Sequence, residues 1–260
     1  AIAAAISLGD YDAYSEIETY LKGYVSADNA GMVSKFAELG LATAAVSAIA
    51  PNMAPGWLKE GDFSGLPAQA KPDALYLHSK YYQSLGNYEA MLSVAQTTLT
   101  FCASEQGITL SDIYLRVNCA SACYSLERME EAKRRLRDAM HIALPHGFIT
   151  PFAESVTAFG GLMEQCLKQE FPDAHDAVIA QWERSWKNWI HFHNDFTKNN
   201  ITLILTRREY HIAVLAAKRV PYADIAKRYQ ISIGRLKNIM LAIYGKLYIS
   251  DRNELAKYIL

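Results

Sequence analysis

Four cysteines and seven histidines are the side chains of this 260-residue chain best suited to metal or nucleophilic chemistry, and their spacing favours neither. Cys119 and Cys123 stand four apart, which puts two thiols on one helical face. Without a paired C-x-x-C spacing they read as small core residues, as do Cys102 and Cys166. His191 and His193 alternate beside Asp195, but a metal would need a strand or loop there and a third convergent ligand, which the sequence does not supply. The chain contains no G-x-x-x-x-G-K-(S/T), G-x-S-x-G, H-E-x-x-H or G-x-G-x-x-G. Gly160-Gly161 sits in a helical stretch and suits close packing better than a phosphate cradle. An enzyme, a cofactor and a metal are therefore not expected. What remains is the 26 Lys and Arg side chains, whose chemistry includes the binding of phosphates.

Charge points the same way. Residues 205–260 hold 11 Lys/Arg against 4 Asp/Glu, a net of +7, whereas the whole chain is −1 and the preceding part is −8. Such asymmetry suits a polyanionic partner. On charge alone it suits a solvated basic face equally well, so the arrangement of elements decides.

Thr206 with Glu209 three residues later is a capping-box arrangement, and Ile212, Leu215 and Ala216 follow at helical spacing. Pro221 fits the first turn of a second helix with Ile225 and Ala226 on its apolar side. Tyr229-Gln230-Ile231 breaks it, and Ser232 can cap a third helix. Along that helix Leu236, Ile239, Met240, Ile243 and Leu247 form an inward stripe, leaving Arg235, Lys237 and Asn238 for another surface. Asp251 can cap a fourth helix running through Leu255 and Ile259. Four short helices with tight turns make a helix-turn-helix in a small bundle.

Six anchors in register carry a family resemblance: Leu205-Thr206-Arg207-Arg208-Glu209, Asp224-Ile225-Ala226, Ile231-Ser232, Leu236-Lys237, Ile243-Tyr244-Gly245-Lys246-Leu247 and Arg252-Asn253-Glu254-Leu255. The stretch resembles the LuxR-type helix-turn-helix DNA-binding domain. The resemblance implies a bacterial transcriptional regulator that binds double-stranded DNA as a dimer. Arg235, Lys237 and Asn238 would meet base edges, and Leu236 stands where the family's Val can touch a thymine methyl. Arg207, Arg208 and Lys246 would contact phosphates. The chain departs from the pattern at Arg219, where the family commonly has Gly, at Pro221-Tyr222, where it has a Ser/Thr-Asn pair, and at Ile239, where it has a His that approaches DNA.

The preceding residues carry a repeat. Leu8-Gly9-Asp10-Tyr11-Asp12-Ala13, Leu85-Gly86-Asn87-Tyr88-Glu89-Ala90 and Leu126-Glu127-Arg128-Met129-Glu130-Glu131-Ala132 each place a turn-prone pair between two helices. The last two copies lie 41 residues apart and the first two 77, close to twice that. This resembles antiparallel helix pairs of tetratricopeptide type, whose concave face receives a peptide, protein or small molecule. Between Ala50 and Pro72 a run of Pro and Gly excludes a long helix and reads as a loop packed by Trp57, Leu58 and Phe63. Pro145-His146-Gly147 makes a second break, and the segment from His146 to Phe152 resembles the end of the repeat region in MalT-like regulators. Trp182, Trp186 and Trp189 share a helical face and read as core, with Lys198-Asn199-Asn200 as a linker.

No segment approaches the ~18 uninterrupted apolar residues of a membrane helix. The apolar Ala1–Ile6 stretch lacks a basic flank and is not a signal peptide, while the missing initiator Met fits a piece excised from a longer protein. A reducing cytoplasm suits the cysteine usage. The expectation is an all-α chain: a tetratricopeptide-like sensor module over residues 1–200 and a four-helix LuxR-type DNA-binding domain over 201–260. The competing expectation is a non-DNA-binding adaptor whose altered last domain is a docking bundle.

Overall fold

A computed structural model describes residues 1–26, 31–48, 50–101, 107–159, 161–197, 205, 207–247 and 249–255, with backbone alone at 26, 186–187, 189–191, 193–197, 207 and 246–247. Every regular element among the described residues is helical, so the fold is all-α. The chain divides into two compact units, Ala1–Phe192 and His193–Leu260. No described helix is long and apolar enough to cross a membrane.

The first unit begins with α1 (Ile2–Leu8), α2 (Tyr11–Ser26) and α3 (Met32–Ser47), followed by the short α4 (Gly56–Glu60). Then come α5 (Lys71–Ser84), α6 (Tyr88–Phe101), α7 (Leu110–Ser125) and α8 (Met129–Ala143), and the unit closes with α9 (Thr150–Ala153), α10 (Leu162–Glu170) and the long α11 (Pro172–Thr197). The three sequence copies fall on the turns α1–α2, α5–α6 and α7–α8 and share one backbone geometry. Gly9, Gly86 and Glu127 all lie in the left-handed region, at φ 73°, 71° and 62°. Behind each, the same two amides close the helix end, the first to the carbonyl three residues back and the next to the carbonyl five back, as in Gly86 N to Gln83 O and Asn87 N to Tyr82 O. Asp10 and Asn87 then cap the following helix through Ala13 N (2.9 Å) and Ala90 N (3.1 Å).

The helix pairs stack in register. Tyr76 of α5 meets Tyr114 of α7, with ring centroids 5.2 Å apart, and Gln83 Nε2 donates to Ser121 Oγ at 3.4 Å. The offset is 38 at both ends of the contact, so α5 and α7 run parallel. Glu89 with Arg128 and Gln96 with Arg135 give a constant offset of 39 between α6 and α8. α1, α3, α5 and α7 touch successively, and α2, α6 and α8 lie against them as the second helix of each pair.

α3 lacks a regular second helix of its own. Residues 50–70 take its place as a packed loop holding α4, with Leu58 fully buried and Trp57 and Phe63 against the same core. His78 pins that loop through Nδ1 to the Leu58 carbonyl at 2.6 Å. Burial holds the His78 pKa below its ordinary 6.5 against the opposing pull of the Leu58 hydrogen bond, so the neutral ring with Nδ1–H donating is favoured.

The main core of the unit runs from α6 to the first half of α11 and includes Leu136, Phe152, Phe159 and Val178. Ala132, Leu136 and Ala139 lie on the buried face of α8, and Cys119, Cys123 and Cys166 are buried, as small core residues should be. Burial pushes the Cys119 thiol up to about 12. Trp182 packs against this core, while the side chains of Trp186, Trp189, His191 and His193 lie outside the described set, as do Cys102 and the Lys198-Asn199-Asn200 linker. Gly161 is not the packing glycine expected: nothing comes within 4 Å of where its Cβ would sit, and its φ of 106° is what demands glycine at the start of α10.

α11 also reaches the opposite end of the array. Ser185 Oγ lies 3.0 Å from Ser7 Oγ, and Asn188 Nδ2 donates to the Ser7 carbonyl at 2.9 Å. The buried Phe192 stacks on Tyr11 with centroids 4.3 Å apart. One helix therefore ties the last pairs of the array to the first.

Candidate nucleic-acid interface

The second unit contains α12 (Arg207–Ala217), α13 (Tyr222–Arg228), α14 (Ile233–Leu247) and a 3-10 turn, Arg252–Leu255. Ile212, Ala213, Ala216, Ile225, Ala226, Leu236, Met240, Ile243 and Leu255 are buried and form its apolar centre. Thr206 and residues 256–260 lie outside the described set, so the capping box at Thr206 and the fourth helix beyond Leu255 are not described.

Two left-handed turns set the angles between these helices. Arg219 has φ 65°, with its amide donating to the Ala216 carbonyl at 2.9 Å and the Val220 amide to the Leu215 carbonyl at 3.1 Å. Gln230 has φ 52° and the same closure, to Lys227 and Ala226. A glycine belongs at such positions, so Arg219 and Gln230 hold a backbone that glycine would adopt more readily. Pro221 precedes α13 as its N-cap instead of lying in its first turn, and Tyr222 reaches across to Tyr244, hydroxyl to hydroxyl at 3.0 Å.

Arg252 acts as an internal clamp. Its Nε donates to the Ala216 carbonyl at 2.7 Å and its Nη2 to the Val220 carbonyl at 2.6 Å, while its guanidinium sits 5.1 Å from the Tyr222 ring centre. The Ala216 carbonyl lies in the last turn of α12 and the Val220 carbonyl in the turn that follows, so the guanidinium bridges the helix end and its turn. Asp251 Oδ1 accepts from the Asn253 and Glu254 amides at 2.6 and 3.3 Å, and Glu254 accepts from the Ser250 amide at 2.6 Å. The R-x-E-L motif is thus a structural fastening.

α14 carries the surface of interest. Ser232 caps it as expected, its Oγ accepting from the Arg235 amide at 3.1 Å. Arg235, Lys237 and Asn238 are exposed. At 100° per residue, Asn238 lies near the middle of the outward face. Arg235 and Lys237 stand on opposite flanks, about 160° apart, and position 246 falls on the Arg235 flank. Arg208 is exposed with its guanidinium 5.7 Å from the Tyr229 ring centre. The side chains of Arg207 and Lys246 lie outside the described set.

One site residue requires correction. Leu236 is fully buried, so it cannot touch a thymine methyl; its place on the inward stripe takes precedence over the place the resemblance gave it. Ile239 is half-buried at the edge of that stripe. Two exposed apolar groups escaped sequence reasoning: Leu241, 66% exposed on the outward face, and Ile233, 47% exposed at the start of the helix and about 140° round from Asn238. The signal was available, because Leu241 falls four residues after Lys237 and outside the inward stripe. No family model, curated protein or solved structure matches this chain.

Proposed function

We propose that the chain is a regulator whose second unit binds double-stranded DNA with α14 in the major groove, under the control of an effector bound to the first unit. The observation that carries this reading is the outward face of α14: Asn238 at its centre and a cation on each flank, on a helix fixed by two tight turns and the Arg252 clamp. Asn can form a bidentate pair with adenine, Arg or Lys can bind guanine or phosphate, and an outward Leu suits a thymine methyl. The net charge of +7 over residues 205–260 supplies the attraction to phosphate. The LuxR-type resemblance adds assembly as a dimer, with two copies of α14 reading half-sites about 34 Å apart.

The test is selection of random duplex DNA by the full chain, followed by a salt series. A preferred site is expected. Arg235→Ala should cost about 1–3 kcal/mol and relax preference at one base position, if that residue reads a base. Lys246→Ala should weaken binding to all sequences alike and reduce the salt slope by about one. A second reading, an adaptor with a docking bundle, is favoured by the exposed Leu241 on the same face. Sequence-blind, weak association at physiological salt would select it.

A further inference from the structure

Six large apolar side chains stand exposed on one helical hairpin of the first unit: Tyr20, Tyr24 and Val25 on α2, and Met32, Val33 and Phe36 on α3. Leu21 packs directly on Gly40, where an added Cβ would stand 2.9 Å from Leu21 Cδ1. That contact fixes the register of the antiparallel pair and brings Val25 level with Phe36. At 100° per residue, Tyr20 and Tyr24 lie about 80° round α2 from Leu21, and Met32 and Phe36 about 60° round α3 from Gly40. The two rotations have the same sense on helices of opposite direction, so all four side chains fall on one side of the hairpin. Val25 and Val33 lie nearer the seam between them. The Tyr20 and Tyr24 hydroxyls bond to each other at 3.1 Å with ring centroids 4.9 Å apart, which holds the two rings as one surface.

Tyr20 and Met32 are each 64% exposed, Val33 is 59% exposed, and the other three lie between 37% and 44%. Together that is the surface of about three whole side chains, roughly 500–600 Å², at the upper end of what a monomer presents in one patch. None of the six is charged, and aromatic and Met side chains without charge are the composition of an interface centre. The nearby Glu18 and Lys35 are engaged within their own helices, by Lys22 at 3.0 Å and Glu38 at 3.1 Å. Two facing copies of the patch would bury about 1,000–1,200 Å², the threshold of a specific interface. A two-fold axis along the hairpin lays α2 of each copy over α3 of the other with every neighbour antiparallel, the packing of a four-helix bundle. A neutral face also meets no like charge in its own copy.

We propose that the α2–α3 hairpin is a homodimer contact whose occupant is the same hairpin of a second copy. Tyr20, Tyr24, Met32 and Phe36 form its closed centre. The contact lies wholly within the first unit and forms without DNA, so it goes beyond the DNA reading and stands or falls apart from it.

Sedimentation equilibrium of the full chain without DNA, from low micromolar to about 100 µM, tests it. A reversible monomer–dimer equilibrium is expected. Phe36→Glu and Met32→Glu each place a charge in the centre, twice per dimer, and should raise the dissociation constant about a hundredfold or more. Phe101→Glu, at an exposed apolar position on α6, should leave it unchanged. Circular dichroism reports whether each variant folds, and should Phe36→Glu fail to, the more exposed Met32 position decides. A dimer indifferent to both substitutions, or weakened equally by Phe101→Glu, overturns the proposal. So does a monomer throughout the range, which would leave the face to a different protein.

Discussion

Arg219 and Leu236 show how far single residues could be read from the chain. Arg219 stood out as a departure from a glycine, and its φ of 65° gives the physical reason glycine is preferred there. Removing its Cβ should relieve left-handed strain, so Arg219→Gly should raise the unfolding free energy by about 1 kcal/mol, measured as a higher urea midpoint. An unchanged or lowered midpoint would show that the arginine side chain offsets the strain. Leu236 was assigned two incompatible duties, core and base contact, and period alone could not choose between them. Burial chooses the core. Leu236→Ala should therefore cost about 2–5 kcal/mol, whereas Lys237→Ala, on the exposed flank, should move stability by no more than about 0.5 kcal/mol. Equal effects of the two on stability would mean α14 is rotated. Leu241 escaped notice because an outward leucine breaks the rule by which apolar residues are assigned inward.

At the scale of elements, the turns were the most legible part. A dipeptide such as Gly86-Asn87 marks a helix end because its backbone needs are specific, and the copy with Glu127-Arg128 was still recognisable by register. The packed loop over residues 50–70 was readable as non-helical from Pro and Gly, but the bond that pins it was not. His78 Nδ1 meets a backbone carbonyl, and backbone partners leave no trace in side-chain spacing. That bond has a pH signature. Burial depresses the folded pKa of His78 below 6.5, so the unfolded chain binds a proton more readily than the folded one. The stability contributed by neutral His78 is full above pH 6.5 and falls as pH drops from there through the lowered folded pKa. Thermal unfolding of the unaltered chain and of His78→Gln between pH 7 and pH 5 should show a steeper decline in the former. Parallel declines would exclude the histidine.

For the whole molecule, an all-helical chain was readable from the helical spacing and the repeat, since both are summed over many residues. The tie between α11 and α1 was not, because residues 178 apart in sequence meet through small polar groups that carry no pattern. Its tightest point is Gly9. A Cβ there would stand 2.7 Å from the Asn188 side chain, on a backbone at φ 73°. Gly9→Ala should destabilise the first unit by at least about 1 kcal/mol. Adding Asn188→Ala should recover the part due to the clash but not the part due to φ, as read from a double-mutant cycle of urea midpoints. Strict additivity would mean the two residues do not touch.

The same tie sets a timetable for synthesis. Ser7 cannot meet Ser185 until 178 further residues have been added, which at ribosomal speed takes roughly 10 to 35 s. Each helix pair of the array can fold against its predecessor as it emerges, but the seam at Ser7 and Tyr11 stays open until α11 follows. Although made before the rest of the array, α1 is thus among the last of its helices to acquire a full set of neighbours, and for that interval the nascent array offers an unsealed edge to whatever else is in reach.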